Sequence, residues 1–372
     1  MSSQKNSSNL IIKLILKFFA VEEKENFAVT NPNKILIVRQ HNQFGDLLAS
    51  VSLFRAVKET YPNCELTVIA SPQNHFAVEK NQFIDNLFIY NQKQFINPVY
   101  VYRLVQLLKQ KYDIVFVPAT VSISATSCLL GRLAKSDFRV GPASLDGKRN
   151  KLAPIFHKRV HLNWRRYPDT HISDFGLEIL RSVGINTKNY RSSVTFEESE
   201  LESAKQFVFD LGTNNSKNLI GLHIGAGKPP NRWSLDKFIK IIEKMNEDYR
   251  STFYITGSSS DSEEIDYVRS KLQVKVGYFI NRSIPELAAL ISISDLFITN
   301  DTGVMHVAGA TDTPQISIFG PTNPFNWAPI GTNKYFVRKS DLIDDVTVND
   351  VYEICTMILA DKNTKELQDV DE

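Results

Sequence analysis

The sequence predicts an α/β protein built from two successive Rossmann-like domains, and three observations carry that reading. Compact β-branched runs alternate with helix-patterned segments along most of the 372 residues. Polar turns bearing glycine or serine follow several of those runs, at 45–46, 225–227, 257–261 and 301–303. The whole strand–turn–helix pattern then restarts near residue 218. With 42% hydrophobic residues the chain can bury a sizeable core in each half.

Taken in order, Asn9 to Ala20 (NLIIKLILKFFA) is an apolar segment interrupted by Lys13 and Lys17, one helical turn apart. Such a helix fits either the surface of an anionic leaflet or the flank of the protein body. It lacks a small-residue cleavage site, which argues against a secretory signal. Lys34 to Arg39 (KILIVR), after Asn31-Pro32-Asn33, is a buried first strand. The polar turn His41 to Asp46 leads into one helix from Leu47 to Thr60, and Glu65 to Ala70 is the second strand. Leu87 to Tyr90, Asp113 to Pro118 and the short Phe138 to Gly141 read as strands, Tyr100 to Gln110 and Ser127 to Ala134 as helices. Gly147 to Asp169 is irregular and basic, and Thr170 to Val183 is a helix carrying His171. Residues 185–216 supply a short strand, an acidic helix (Glu197 to Leu211) and a polar linker end.

The second half opens with a strand at Asn218 to Ile224 and a helix at Leu235 to Tyr249, for which Ser234 is the expected N-cap. Strands follow at Ser251 to Thr256 and Gln273 to Val276, and Ser283 with Glu286 forms a capping box for a helix at Ile284 to Ile293. A strand–turn–helix–strand unit spans Leu296 to Phe319, and Thr347 to Leu359 is a last helix. The resulting division is 1–30 (N-terminal amphipathic helix), 31–212 and 213–345 (the two Rossmann-like domains), and 346–372 (helix and tail).

Composition narrows the function. The net charge of +2 gives no global field for nucleic acid, though basic clusters still suit anionic surfaces. Cys64, Cys128 and Cys355 are far apart, lack metal-ligand spacing and suit a reducing compartment as core residues. No apolar run reaches the roughly 18 residues of a transmembrane helix, so a cytoplasmic protein is expected.

In a parallel sheet the carboxyl ends of all strands share one rim, so the turns 225–227, 257–261 and 301–303 converge there. Lys228 and Arg232 supply cations for a diphosphate, while Asp261, Glu263 and Glu264 offer acceptors for ribose hydroxyls. Thr302 and Gly303 present donors at a helix N-terminus, with His306 one turn along. His306 reads equally as a satisfied helix histidine. In the first half Asp46 follows Gly45 at a helix start, as an N-cap or as a general base facing a cleft. The basic run 147–166 is either a solvated loop or a dock for an anionic acceptor or lipid head group.

The segments RQHNQFGDLLASVSLFRAVKETYP, HIGAGKPPNRWSLDKF, ITGSSSD and SDLFITNDTGVMHVAGATDTPQISIFGPTNP together resemble glycosyltransferase family 9, the bacterial heptosyltransferase-like enzymes. The resemblance implies a GT-B architecture, with an acceptor-side first domain and a nucleotide-sugar-binding second domain facing across a cleft. It implies inverting, metal-independent transfer, with no cofactor, of heptose or a related sugar from a nucleotide-diphosphate donor, usually ADP-heptose. The implied acceptor is a lipopolysaccharide core or other envelope saccharide-lipid at the cytoplasmic face of the inner membrane, a surface with which the helix over residues 9–20 makes possible contact. By position, Asp46 matches the catalytic base. Gly225, Ala226 and Gly227 match the phosphate-contacting turn, and Lys228 with Arg232 balances charge on the departing diphosphate. Asp261 falls near the ribose-binding acid, with Glu263 the alternative, and Asp301, Thr302, Gly303 and His306 match the DTGxxH segment. Gly45, Lys148, Arg149 and His171 are the acceptor-side candidates. Departures bear on the donor: Gly-Ala-Gly stands where relatives often carry hydroxyl residues, and Asn231 where a lysine often precedes Arg-Trp.

A GT-B nucleotide-sugar epimerase and a non-catalytic partner in envelope polysaccharide assembly are the competing readings. An NAD-dependent dehydrogenase is disfavoured because no G-x-G-x-x-G follows either first strand.

Overall fold

Residues 12–24, 31–40, 44–212 and 217–369 are described by the computed structural model, with side chains up to residue 360. Residues 9–11 of the N-terminal segment, His41 to Gln43 of the first turn and 213–216 of the linker end lie outside them. The chain divides into two compact units, Met1–Tyr190 and Arg191–Glu372. The second therefore includes the acidic helix, which the sequence reading had grouped with the first domain.

The first unit is a sheet of β1 (Lys34–Val38), β2 (Glu65–Ala70), β3 (Asn86–Ile89), β4 (Tyr112–Phe116), β5 (Ser136–Leu145), β6 (Lys148–Arg149) and β7 (Lys158–Leu162). The order is β3-β2-β1-β4-β5, with β6 and β7 both on β5, and every pairing except β5–β6 is parallel. Its helices are α1 (12–19), α2 (Phe44–Ala49), α3 (Val51–Thr60), α4 (Pro98–Lys109), α5 (Ala125–Leu133), α6 (Ile172–Phe175) and α7 (Glu178–Arg181). β1 and β4 bury nearly every residue because helices cover a parallel sheet on both faces.

The second unit repeats the plan. Its strands are β8 (Leu219–His223), β9 (Thr252–Gly257), β10 (Val276–Ile280), β11 (Leu296–Asn300), β12 (Gln315–Ile318) and β13 (Lys334–Val337). They lie in the order β10-β9-β8-β11-β12-β13, all parallel. Around them run α8 (Glu198–Asp210), α9 (Leu235–Tyr249), α10 (Ser262–Lys271), α11 (Ile284–Ser292), α12 (Gly303–Gly309), α13 (Pro324–Trp327) and α14 (Val348–Asp369). α9 buries Phe238, Ile239, Ile241, Ile242 and Met245 on one face, each contributing about 1.5–3 kcal/mol of apolar transfer when fully buried. The Ser283–Glu286 capping box of α11 is present as expected.

Several elements differ from expectation for local reasons. The helix expected over 47–60 is two, divided at Ser50, whose hydroxyl (2.7 Å) and backbone N–H (3.2 Å) both donate to the Asp46 carbonyl; a serine bonding back in this way bends a helix. The basic stretch after Gly147 contains β6 and β7, whose charged residues sit at the edge of the sheet, where charge is tolerated. β5 runs through Gly141-Pro142 instead of ending there, with a register shift between Pro142 and Ser144. The expected helix 170–183 is two single turns, and 185–197 holds no strand among the described residues. β10 begins where the expected 273–276 strand ends. Ser234 precedes α9 as expected, but its side chain makes no cap bond; its backbone N–H instead donates to Asp344 (3.0 Å).

Candidate active site

The order of the second sheet places its topological switch point between β8 and β11, and that is where its polar turns meet. Asn300, the fully buried last residue of β11, donates from Nδ2 to the carbonyls of Ile224 (2.9 Å) and Gly225 (3.2 Å). Its Oδ1 accepts from Trp233 N (3.1 Å), tying the segment after the 225–227 turn to the same point. Asn231 Nδ2 donates to both the carbonyl (3.2 Å) and Oδ2 (2.8 Å) of Asp301. Gly225 lies against the carboxylate of Asp261, so close that a Cβ there would come within 2.2 Å of Oδ1. Three turns far apart in sequence are thus pinned into one rim by two asparagines and one glycine contact.

The charged groups have specific partners. Arg232 donates through Nε to the Ala226 carbonyl (2.8 Å) and through Nη1 to Glu264 (2.5 Å). Glu264, one of the acids offered for ribose, is therefore a holder of Arg232, while Glu263 points to solvent. Asp261 Oδ2 accepts from the backbone and hydroxyl of Ser258 (2.8 and 2.9 Å), closing a capping box on the short turn before α10. Beneath it lies His223, whose Nδ1 is 3.0 Å from Thr256 Oγ1; burial pulls its pKa down, against the charge of Asp261. Burial pushes the Asp301 carboxyl up, opposed by a hydrogen bond with Thr322 and the positive charge of Lys228. Thr302 and Gly303 begin α12 with no side-chain cap, and His306 is buried on α12 with its ring edge-on to Trp327 at 6.2 Å.

In the first unit the equivalent switch point lies between β1 and β4. Arg39, just beyond β1, donates to Ser50 Oγ (3.0 Å) and to Thr120 Oγ1 (2.7 Å), bridging the segments that follow those two strands. Asp46 lies 4.0 Å from Arg39 and is 2% exposed. It is the third residue of α2 and Gly45 the second, so Asp46 stands inside the first helical turn, not at an N-cap. Burial lowers the Arg39 pKa, with Asp46 acting in the other direction. Lys148 and Arg149 are exposed on β6 and line a cavity with α1. His171 is the N-cap of α6, its Nδ1 accepting from Ser173 N (3.1 Å). Sequence reading missed Arg39, Ser50, Thr120, His223 and Asn300 as site builders. The available signal was a polar residue, Arg39 or Asn300, closing an otherwise apolar strand.

A 3-2-1-4-5-6 parallel sheet with glycine turns and cations at its switch point defines a Rossmann-type α/β fold. The sequence pattern of glycosyltransferase family 9 (heptosyltransferase) matches residues 101–348, and the chain belongs to that family. It is a glycosyltransferase; Asp46 lies outside the matched residues. Lipopolysaccharide heptosyltransferase 3 of Escherichia coli (strain K12) is 24% identical over 299 residues, 77% of this chain and 82% of the relative. The family 9 glycosyl transferase of Veillonella parvula DSM 2008 superposes with a TM-score of 0.77 at 19% identity, over 90% of this chain and 100% of that one. E. coli ADP-heptose lipopolysaccharide heptosyltransferase II gives 0.73 at 18% identity, over 89% and 99%. The fold is of the GT-B class, with two Rossmann-like domains.

Proposed function

We propose that this enzyme transfers heptose or a closely related sugar from an ADP-sugar to a lipopolysaccharide core or other envelope saccharide acceptor, with inversion and without a metal ion. The observation that carries the reading is the convergence of the 225–227, 258–261 and 301–303 turns, with Lys228 and Arg232, at one switch point in a family 9 chain. The names of the E. coli relatives supply the donor and acceptor classes. The donor diphosphate rests on the 225–227 backbone and the start of α12, as an anion does at glycine turns.

Asp46 takes the proton from the acceptor hydroxyl as that oxygen attacks the anomeric carbon opposite the diphosphate. The new C–O bond forms as the bond to the diphosphate breaks, so the configuration inverts. Arg232, held in place by Ala226 and Glu264, and Lys228 meet the charge growing on the leaving diphosphate. Acceptor approach past Gly45 brings its hydroxyl to Asp46. A peripheral position on the inner face of the inner membrane matches a lipid-linked acceptor; among the described residues no helix is long and apolar enough to cross a membrane.

The test is a panel of nucleotide sugars scored first by thermal stabilisation, then by transfer followed with mass spectrometry. ADP-sugars are expected to raise the melting temperature, and ADP-heptose with a truncated core acceptor to yield a product one heptose heavier. Stabilisation by UDP-sugars only would reassign the donor. Epimerised nucleotide sugar formed without acceptor would replace transfer by epimerisation.

A further inference from the structure

A cavity of about 680 Å³ opens in the first unit among α1, the segment after β4 and the β5–β6 turn. That lies within the roughly 300–1,000 Å³ of small-molecule pockets. Much of its wall is aliphatic: Ile12 and Ile15 of α1, Val121 and Ile123 after β4, and Leu145 and Leu152 flanking the turn. Four cations, Lys148, Arg149, Lys151 and Arg165, line it against one carboxylate, Asp146, whose Oδ1 accepts from Trp164 N at 2.7 Å. A soluble phosphosugar would leave the aliphatic wall wet, and a neutral hydrocarbon would leave the cations without a counter-charge. The complementary ligand joins a hydrocarbon chain to an anionic head.

The helix that closes this cavity carries the same chemistry outward. Ile12, Ile15, Leu16 and Phe19 pack on the core of the first unit, while Leu14 and Phe18 stand 59% and 69% exposed beside the exposed Lys13 and Lys17. Apolar side chains interleaved with lysines on the solvent face of one helix suit the head-group layer of an anionic bilayer. Val121 follows Thr120, whose hydroxyl binds Arg39 beside Asp46 and whose carbonyl accepts from Trp164 Nε1 (2.7 Å). The cavity therefore begins one residue from the network around Asp46.

We infer that the first unit holds a discrete site for one anionic phospholipid of the bilayer, its acyl chain in the cavity under α1 and its phosphate at Lys148 and Arg149. The site is independent of the donor and reaction proposed above, and it assigns Lys148 and Arg149 to the membrane lipid instead of the sugar acceptor.

The experiment uses the full chain in two assays. One is cosedimentation with phosphatidylcholine vesicles made with and without phosphatidylglycerol. The other is calorimetric titration with short-chain phosphatidylglycerol below its micelle concentration. Sedimentation only with phosphatidylglycerol and one-to-one binding of the short-chain lipid are expected. K148A/R149A, removing two exposed charges, weakens both by roughly thirtyfold. V121W, at a 47% exposed position on the cavity wall, blocks short-chain binding. Circular-dichroism melting separates loss of the site from loss of the fold, and should V121W melt early, the exposed K148A/R149A pair carries the same decision. No binding by the unaltered protein, equal sedimentation with both vesicles, or undiminished binding by folded variants would each overturn the site. Binding of the saccharide-lipid acceptor but not phosphatidylglycerol would give the cavity to the substrate and overturn it too.

Discussion

Asp46 and Arg232 divide the proposed chemistry between a base and an electrostatic clamp, and single substitutions separate the two roles. Asp46→Asn keeps the shape and removes the proton acceptor. It should lower kcat by about 10²–10⁴-fold with nucleotide affinity unchanged, read by steady-state kinetics beside equilibrium binding. Turnover at the normal rate would remove Asp46 from the mechanism. Arg232→Met removes the charge proposed to face the leaving group and deprives Glu264 of its partner. An interaction that grows with charge in the transition state is lost, so kcat should fall by about 10²–10³-fold, more than KM rises. A change confined to KM would show that Arg232 only binds the ground state.

At the scale of elements, the turns are held by close contacts that tolerate little added volume. Gly225→Ala drives a methyl into the Asp261 carboxylate, itself fixed by Ser258, and should cost about 1–3 kcal/mol in chemical denaturation while weakening nucleotide binding. Wild-type stability and affinity in that variant would mean that the turn yields to the added methyl. A second element-level prediction concerns pH. His157 links β7 to β5: its N–H donates to the Arg139 carbonyl and its Nδ1 accepts from Arg139 N (2.9 and 3.0 Å). Burial first, then the charges of Arg139, Lys24, Arg132 and Arg159, lower its pKa from 6.5 to about 4. The folded state therefore holds the ring neutral, and the unfolded state takes up the proton first. Stability from this site is complete above about pH 6.5 and falls as pH drops toward 4, by about 1–2 kcal/mol after allowing for partial solvent access. Urea titrations from pH 7 to 5 should show this slope in the wild type and lose it in His157→Gln.

For the whole molecule, the three tryptophans divide between the two units, Trp164 in the first and Trp233 and Trp327 in the second. Trp233 is buried in the second core, its indole N–H donating to the Val346 carbonyl (2.8 Å). A nucleotide sugar that binds only the folded second unit stabilises it by about 2.7 kcal/mol at a hundredfold excess over Kd. Variants retaining only Trp233 or only Trp164 should report that difference. The Trp233 transition should move up by several degrees, and the Trp164 transition should move less. Equal shifts would mean that the units unfold as one, and a shift of the Trp164 signal only would place the donor in the first unit.

The sequence by itself determined the class of fold, because buried parallel strands write themselves as short β-branched runs and glycine turns mark their carboxyl ends. It also marked the 225–227 turn and the Asp301-Thr302-Gly303 segment as turns at the carboxyl ends of β8 and β11, since each is contiguous in the chain. The edge strands β6 and β7 were illegible: a strand at a sheet margin carries charge and loses the apolar signature. The break at Ser50 left no mark in the sequence because the residues on both sides of it, Leu47 to Ala49 and Val51 to Val57, are buried alike. Only the tertiary structure decided which partners the charged groups take. Glu264 holds Arg232, Asp261 caps a turn, His171 caps a helix, and Asn300 ties the turn after β8 to the end of β11. The two caps are local, but the Glu264–Arg232 and Asn300–Ile224 contacts join residues 32 and 76 positions apart at the carboxyl rim of a parallel sheet, and no local spacing in the chain encodes them.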